Sequence, residues 1–287
     1  MSVLVTGVGL AVAGLSDHDE LLGERRGGGF DPRTALLGRD LRHKDRATRL
    51  ALRAAEPALR DAGLLAEAEF AGDADRTAVV VSSNLGNLDS VCLFTDLIAR
   101  ETVEALTPLG LPQTSSNVIT GAIAIRWRLR GPNVTLCNGE TSGLDAVHWA
   151  ATLIAAGRAD TAVVVGVEPA GEVVDKLVGA DVVDGAVALV LESAERAAGR
   201  GAVPHARIGD YRYGVDQAAV RAGAAGSAAD MSIMDGTELQ ARLGRCSGAL
   251  GVFQCAAALS LLRDGAAPVL ASITGADETA ALLLLPA

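Results

Sequence analysis

The feature that most constrains the fold is the alternation of short, uninterrupted apolar segments with longer segments of helical periodicity. The apolar segments are SVLVTG (2–7), RTAVVVSS (76–83), ADTAVVVGVE (159–168) and DGAVALVLES (184–193). Their apolar residues follow one another without polar alternation, which is typical of strands buried on both faces. The alternation therefore predicts an α/β protein whose sheets are covered by helices on both sides.

The helical segments place small and apolar residues on one face. Residues 38–64 form an amphipathic pattern with Arg and Asp on the opposite face and a glycine near the end, and a Gly-rich turn is expected after SVLVTG. The helix-then-strand order of residues 141–168 recurs near the end of the chain. We therefore expect a single domain over 1–287 built from two similar halves, about 1–200 and about 201–287.

Charge and composition exclude several function classes. The net charge of −10 leaves no basic stripe for nucleic acid or for an anionic membrane surface. The apolar runs are shorter than the roughly 20 residues that span a bilayer, and the start of the chain lacks signal-peptide features. Val12 breaks a dinucleotide-binding pattern, and the four histidines lack metal-ligand spacing. We expect a cytoplasmic protein without metal or cofactor.

The segment GPNVTLCNGETSGLDAVHWA (131–150) predicts a strand that turns sharply into a helix, a place where enzymes often present a nucleophile. With SVLVTGVGL, the RxxDRATRLAL helix, DGAVALVLES and GALGVFQ, it resembles the β-ketoacyl synthases of the thiolase-like superfamily. The resemblance implies a layered α/β/α/β/α fold, an obligate dimer, and acyl chains delivered by an acyl carrier protein.

The same resemblance indicates that the catalytic groups have been replaced. Glu140 stands where these enzymes have their cysteine, and Cys137 lies three residues earlier on the strand. Asp235 and Arg245 stand in the places of the two histidines, and Gln240 in that of a lysine. The chain is also shortened at 170–184 and 235–245, where the family has loops that cap the active site. Together these losses favour lost catalysis over altered catalysis.

Two local expectations concern the emptied pocket. Glu140 is expected to cap the following helix or to fill the pocket, because a carboxylate at a helix N-terminus accepts free N–H groups. Arg245 is expected to pair with Glu140 or Asp235, because a buried charge needs a partner.

The resulting functional hypothesis is a non-catalytic subunit of the chain-length-factor type, from a type II polyketide system. Its short form resembles the ketosynthase partners of the polyene-forming, highly reducing kind. It would dimerise with a ketosynthase and shape the acyl tunnel, and the carrier protein would dock through the ketosynthase. The alternative is a stand-alone acyltransferase or malonyl decarboxylase that uses Cys137, Ser142 or Glu140; a homodimeric acyl-binding protein is a third hypothesis. The expected interface and tunnel residues are Asn117, Val118, Gly121, Ile125, Thr135 and Cys137.

Overall fold

The computed structural model describes residues 2–179, 181–226, 228, 230–263 and 267–287. The strands are β1 (Val3–Val12), β2 (Leu65–Ala66), β3 (Glu69–Phe70), β4 (Thr77–Ser82), β5 (Asn133–Leu136), β6 (Thr161–Glu168), β7 (Gly185–Ser193), β8 (Ala206–Gly214), β9 (Ser232–Met234), β10 (Val269–Thr274) and β11 (Thr279–Leu285). The α-helices are α1 (Pro32–Ala35), α2 (Arg46–Asp61), α3 (Leu88–Arg100), α4 (Val118–Trp127), α5 (Ser142–Ala155), α6 (Glu172–Val178), α7 (Ala194–Gly199), α8 (Gln217–Ala225), α9 (Thr237–Leu243) and α10 (Leu250–Leu261). Single 3₁₀ turns lie at His18–Leu21, Arg39–Leu41, Ala74–Arg76, Val103–Ala105, Leu111–Thr114 and Ser247–Ala249.

Helix α2 begins later than its sequence pattern predicts. The side chain of Asp45 accepts a hydrogen bond from the Thr48 backbone N–H at 2.6 Å and so caps the helix at Arg46. The preceding residues form a 3₁₀ turn and a loop instead. The small and apolar face of α2 is buried against β1, β6 and β7, as the periodicity predicts.

The predicted glycine turn after residue 7 is wrong, because β1 continues through Gly7 and Gly9 to Val12. Both glycines face α2, and a Cβ on either would overlap the backbone of Ala58. Glycine stands at both positions because the α2 backbone approaches too closely for a side chain, and not because the chain turns there.

The strands form a mixed sheet in the order β5-β4-β6-β7-β1-β8-β11-β10-β9. β1, β4, β5, β6 and β7 form the half β5-β4-β6-β7-β1, and β2 and β3 pair as a separate hairpin. β8 to β11 repeat the order of this half as β8-β11-β10-β9, without a counterpart of β5 in the described residues. Three residue pairs, from Val3↔Ile208 to Val5↔Ala206, join the halves into one sheet of nine strands. The two similar halves predicted from the sequence are confirmed.

Helices α5 and α10 form the central layer. Each contacts strands of both halves, and each contacts the other. The main core surrounds this pair, whereas α2 with α4 covers the outer face of the first half and α8 that of the second. The five layers α/β/α/β/α expected from the resemblance are therefore present, in shortened form.

The two central helices touch backbone to backbone. A Cβ at Gly143 would lie 2.5 Å from the backbone nitrogen of Gly251, and one at Gly251 would overlap that of Leu144. This contact fixes the first turns of α5 and α10 side by side. Of the helices in the described ranges, none combines the length and apolar character that crossing a membrane requires.

Candidate functional site

The candidate site lies at the carboxyl ends of β4, β5 and β6, which run parallel. Ligands of open α/β sheets commonly bind at this edge. The chain leaves β5 at Leu136, turns through Gly139 at φ +99°, and enters α5 at Ser142. The corner predicted from residues 131–150 is thus formed as expected.

Glu140 lies at the apex of the corner, and its side chain is exposed. Thr141 occupies the N-cap position, and no side chain caps the helix there. The prediction that Glu140 caps α5 or fills the pocket is wrong. The carboxylate faces solvent, so it has no need of a protein partner.

A different carboxylate holds the corner in shape. Asp145, on the first turn of α5 and buried, accepts hydrogen bonds from Asn138 Nδ2 at 2.6 Å and Thr141 Oγ1 at 3.0 Å. Tyr211 on β8 donates its hydroxyl to the same carboxylate, and burial together with this bond raises the pKa of Tyr211. Asp145 therefore links the corner to the second half of the molecule.

Neither of the other candidate nucleophiles is arranged for attack. Ser142 is fully buried, and its hydroxyl hydrogen bonds with Gly139 O at 2.7 Å and Asn138 Oδ1 at 2.9 Å. Cys137 is exposed beyond the end of β5, but burial of its thiol and the nearby Glu168 raise its pKa. A raised pKa lowers the thiolate fraction, and the thiolate is the nucleophilic form.

Asp235, Arg245 and Gln240, which the resemblance assigns to the histidine and lysine positions, each make separate contacts. Asp235 is exposed and accepts a hydrogen bond from the Thr237 backbone N–H, and Arg245 is exposed and donates to Val178 O at 2.9 Å. Among the residues that the structure describes, Arg245 forms no ion pair with Glu140 or Asp235. The predicted pairing of Arg245 with Glu140 or Asp235 is wrong, because Arg245 is exposed and solvent takes the place of the ionic partner that a buried arginine would need. Gln240 accepts from the Cys246 N–H at 3.2 Å.

Glu168 is a second buried carboxylate of the site. It ends β6, is inaccessible to solvent, and accepts hydrogen bonds from the backbone N–H groups of Asn84, Leu85 and Gly248 and from the Ser83 hydroxyl, at 2.8–3.1 Å. Burial outweighs these bonds and raises its pKa to about 7. Glu168 therefore joins the end of β4 to the segment that precedes α10.

None of the four histidines donates a hydrogen bond to Glu168 or lies at the corner. His148 stacks on Tyr211 with ring centroids 4.1 Å apart, His205 pairs with Asp61 at 2.8 Å, and His43 is exposed in the loop before α2. His18 accepts from Arg263 at 3.2 Å. The corner thus offers no imidazole to polarise a carbonyl, and its exposed carboxylate at residue 140 is a poor acyl acceptor.

One group of side chains has metal-ligand geometry that the sequence did not predict. Ligand atoms of Asp17, His18 and Asp19 lie within 4.8 Å of one another. Arg263 donates to Asp19 at 2.8 Å and Ser260 donates to it at 2.7 Å, so hydrogen-bond donors already satisfy this carboxylate. The contacts describe a polar network between the 3₁₀ turn at His18–Leu21 and the end of α10.

The first half of the sheet ends in an exposed edge and an exposed apolar surface. β5 pairs only with β4 among the described strands, and α3 buries none of its residues. We call β5, α3, the loop to residue 117 and the outer face of α4 the edge surface. Its exposed apolar side chains are Val91, Leu93, Ile98, Val103, Leu109, Leu111 and Ile125.

The predicted interface residues fall on this surface to different degrees. Ile125 is 81% exposed, Asn117 is exposed, and Gly121 lies between them on the same helical face with open space beyond its Cα. Val118 packs partly against the core, and Thr135 bonds to Thr120 at 3.0 Å between their hydroxyls.

Sequence reasoning missed Asp145, Glu168 and Asn84. Asn84 donates to Gly139 O at 2.9 Å and to Ser247 Oγ at 3.0 Å, so it connects the corner to the second half. The sequence did contain a signal for Glu168. An acidic residue follows the apolar run TAVVVGV directly, at the end of a buried strand, and a buried carboxylate must find hydrogen-bond donors. No local signal distinguishes Asp145 from a solvent-facing helical acid.

Comparison with known proteins places this site in context. A sequence profile described as "Beta-ketoacyl synthase, N-terminal domain" matches residues 3–175. The chain is similar to 3-oxoacyl-[acyl-carrier-protein] synthase 2 of Vibrio cholerae, with 32% identity over 142 residues. That match covers 50% of this chain and 34% of the relative, so it spans about a third of the curated protein's length.

Solved structures share the fold over nearly the whole chain. The ishigamide ketosynthase/chain length factor superposes with a TM-score of 0.80 at 21% identity, covering 99% of each chain. AntDE:AntF, a type II PKS acyl-carrier protein in complex with its ketosynthase bound to the hexaketide, gives 0.81 at 17% identity, covering 100% of this chain and 99% of the other.

Proposed function

The chain belongs to the β-ketoacyl synthase family, and from that premise we propose that it is a non-catalytic subunit of the chain-length-factor type. In this role it pairs with a catalytic ketosynthase and shapes the tunnel that holds the growing acyl chain. It works on polyketide chains carried by an acyl carrier protein, which docks through the ketosynthase.

The observation that carries this proposal is the composition of the corner. Decarboxylative condensation needs a thiolate to hold the acyl chain and hydrogen-bond donors to stabilise the enolate. Glu140 stands at the nucleophile's place and faces solvent, and Asp235 and Arg245 stand at the places of the donors and lie apart. A carboxylate at residue 235 opposes the negative charge of an enolate, and the Arg245 guanidinium donates to the Val178 carbonyl instead, so both replacements work against condensation.

The edge surface supports the role in an assembly. Soluble proteins rarely leave a contiguous apolar surface and an open strand edge uncovered. Both occur together here, on β5 and the neighbouring helices. Pairing with a ketosynthase through this surface would cover the edge and bury the exposed apolar side chains.

Gly121 supports a direct influence on chain length. It lies on the outward face of α4 between Asn117 and Ile125, and no atom of the described residues lies within 4 Å of a Cβ built there. A side chain at this position would project toward the partner without disturbing the subunit's own core. The residue at 121 would thereby set how far the acyl tunnel extends.

The test is reconstitution with the ketosynthase encoded beside it and the matching carrier protein. We expect a one-to-one complex whose elongation depends on the ketosynthase cysteine and is unchanged within about twofold by Glu140→Ala. Gly121→Trp should shift the products to shorter chains while the complex still forms. Glu140→Cys should not give the purified chain elongation activity, since no histidine stands at residue 235 or 245 to stabilise the enolate.

A clear result against the proposal would be elongation, or covalent acylation over several turnovers, by the purified chain alone. The alternative, an acyltransferase or decarboxylase that uses Cys137, Ser142 or Glu140, predicts that result. Acyl label on Cys137, removed by Cys137→Ala, would establish this alternative. The buried hydroxyl of Ser142 and the raised pKa of Cys137 weigh against it.

A further inference from the structure

A groove of about 510 Å³ lies between the end of α4 and the β2–β3 hairpin. It belongs neither to the corner nor to the edge surface. Its lining includes Phe70, Trp127 and three arginines, Arg126, Arg128 and Arg130, with Glu69 as the carboxylate. We call it the arginine groove.

Two of the three guanidinium groups are free. Arg130 forms an ion pair with Asp75 at 2.5 Å. In the part of the chain that the structure describes, Arg126 and Arg128 have no carboxylate within 4.0 Å and no side-chain hydrogen bond, and both are exposed. Arg126 and Arg128 therefore carry positive charges that no ion pair among the described residues neutralises, in a chain whose net charge is −10.

The backbone at Arg128 is a second, independent observation. This residue ends α4 in the left-handed conformation, at φ +57° and ψ +32°. Glycine occupies such C-terminal positions without steric cost, and a residue with a side chain is strained there. The helix dipole favours a cation near the C-terminal end of α4, but an arginine at any neighbouring unstrained position would serve that purpose equally well. Non-glycine residues in this conformation cluster at functional sites.

We propose that the arginine groove binds a phosphate-bearing small molecule. Guanidinium groups match phosphate oxygens in pairs of parallel hydrogen bonds, and two arginines without an ion pair in the lining of one groove suit one or two phosphate groups. Phe70 lines the same groove, and its aromatic side chain suits a planar group attached to the phosphate. The volume accommodates a molecule of nucleotide size.

The site is separate from the proposed pairing with a ketosynthase. Arg126 follows Ile125 on α4, and successive helical residues point about 100° apart, so Arg126 is turned away from the outward face at Ile125. Ligand binding can therefore be tested on the purified chain, without any partner. Failure of this inference would leave the proposed function untouched.

The experiment is calorimetric titration of the full chain with pyrophosphate and, separately, with ADP, against chloride at matched ionic strength. We expect saturable binding that weakens at least tenfold in the double variant Arg126→Gln/Arg128→Gly. Arg158→Gln is the matched control, because Arg158 is exposed and lies outside the groove; it should bind like the unaltered chain.

The two probes distinguish the source of the phosphate. Tighter binding of ADP supports a nucleotide that stacks on Phe70, whereas equal binding supports a small molecule recognised by phosphate alone. Arg128→Gly should not lower the unfolding temperature, so loss of binding cannot reflect misfolding. Unsaturable binding, or equal affinity in the wild type, the double variant and the control, would overturn the proposal.

Discussion

Glu168 is the residue at which burial and hydrogen bonding oppose each other most directly. Four donors favour its ionised form, yet burial raises its pKa to about 7 from the ordinary 4.5. The native state therefore holds the proton more tightly than the unfolded chain does. Stability from this group is complete below about pH 4.5 and is lost as pH rises through 7.

We expect the free energy of unfolding to fall by an amount on the order of 3 kcal/mol between pH 4.5 and pH 8, since one pKa unit corresponds to about 1.4 kcal/mol. Chemical denaturation at several pH values would measure it. Glu168→Gln cannot ionise and should flatten this dependence, although it lowers stability because its amide faces backbone donors. An unchanged pH slope in the variant would contradict the assignment.

For single residues, the sequence predicted where a residue lies in the fold better than it predicted which groups its side chain contacts. The motif around residues 131–150 correctly placed Glu140 at the apex of the corner. It could not show that Glu140 faces solvent, because that depends on how much of the capping loops remains. The pairing expected for Arg245 failed for the same reason.

Among the elements, α5 and α10 cross so closely that the contact leaves no room for a side chain. Gly251→Ala would force a methyl group into the backbone of Leu144. We expect it to lower the free energy of unfolding by about 3 kcal/mol or to prevent folding, as overpacking in a core does. Thermal and chemical unfolding of the purified variant would measure this.

Gly121→Ala is the matched control for that change. It also replaces a helical glycine, but nothing lies within 4 Å of the added carbon. Stability should rise by roughly 0.5–1 kcal/mol, because alanine favours the helix. If Gly251→Ala and Gly121→Ala changed the free energy of unfolding equally, the close backbone contact at residue 251 would not be the reason for its glycine.

Helix α4 offers a test of the edge surface. Ile125→Asp places a charge on its outward face and should weaken the complex with a ketosynthase at least tenfold, because a charge would be buried without a partner. The control is Ile233→Asp on β9, where a 59% exposed isoleucine lies at the opposite edge of the sheet. Affinity measured by surface plasmon resonance should change only for Ile125→Asp.

Strands and helices with strong periodicity were predicted well, and boundaries were not. β4, β6, β7 and α5 lie where the apolar runs place them. The continuation of β1 through Gly7 and Gly9 was missed because close packing against α2 is a tertiary contact. The hairpin β2–β3 and the short helix α6 leave too few residues for any period to show.

At the scale of the whole molecule, the described strands leave the sheet with two open edges of unequal character. β5 is bordered by exposed apolar helices, whereas β9 is only three residues long. Hydrogen exchange should therefore slow at the outward amides of β5 when a ketosynthase binds, by about a hundredfold, and remain unchanged at β9. Protection at β9 instead would place the partner on the other edge.

The architecture as a whole followed from the order of motifs, because sheet order and layering are shared across the family. The missing counterpart of β5 did not follow, since a shortened segment at 235–245 does not reveal which element was lost. The arginine groove was also invisible in sequence, because residues 68–74 and 126–130 come together only through folding.

The contact between Gly143 and Gly251 has a consequence for how chains like this one diverge. Loops and even a strand at the periphery can disappear, and every reactive group can be exchanged, while the crossing of the two inner helices stays as it is. Even greatly shortened relatives should then keep a residue without a side chain at both positions. This glycine pair would identify the architecture in sequences that retain none of the catalytic residues.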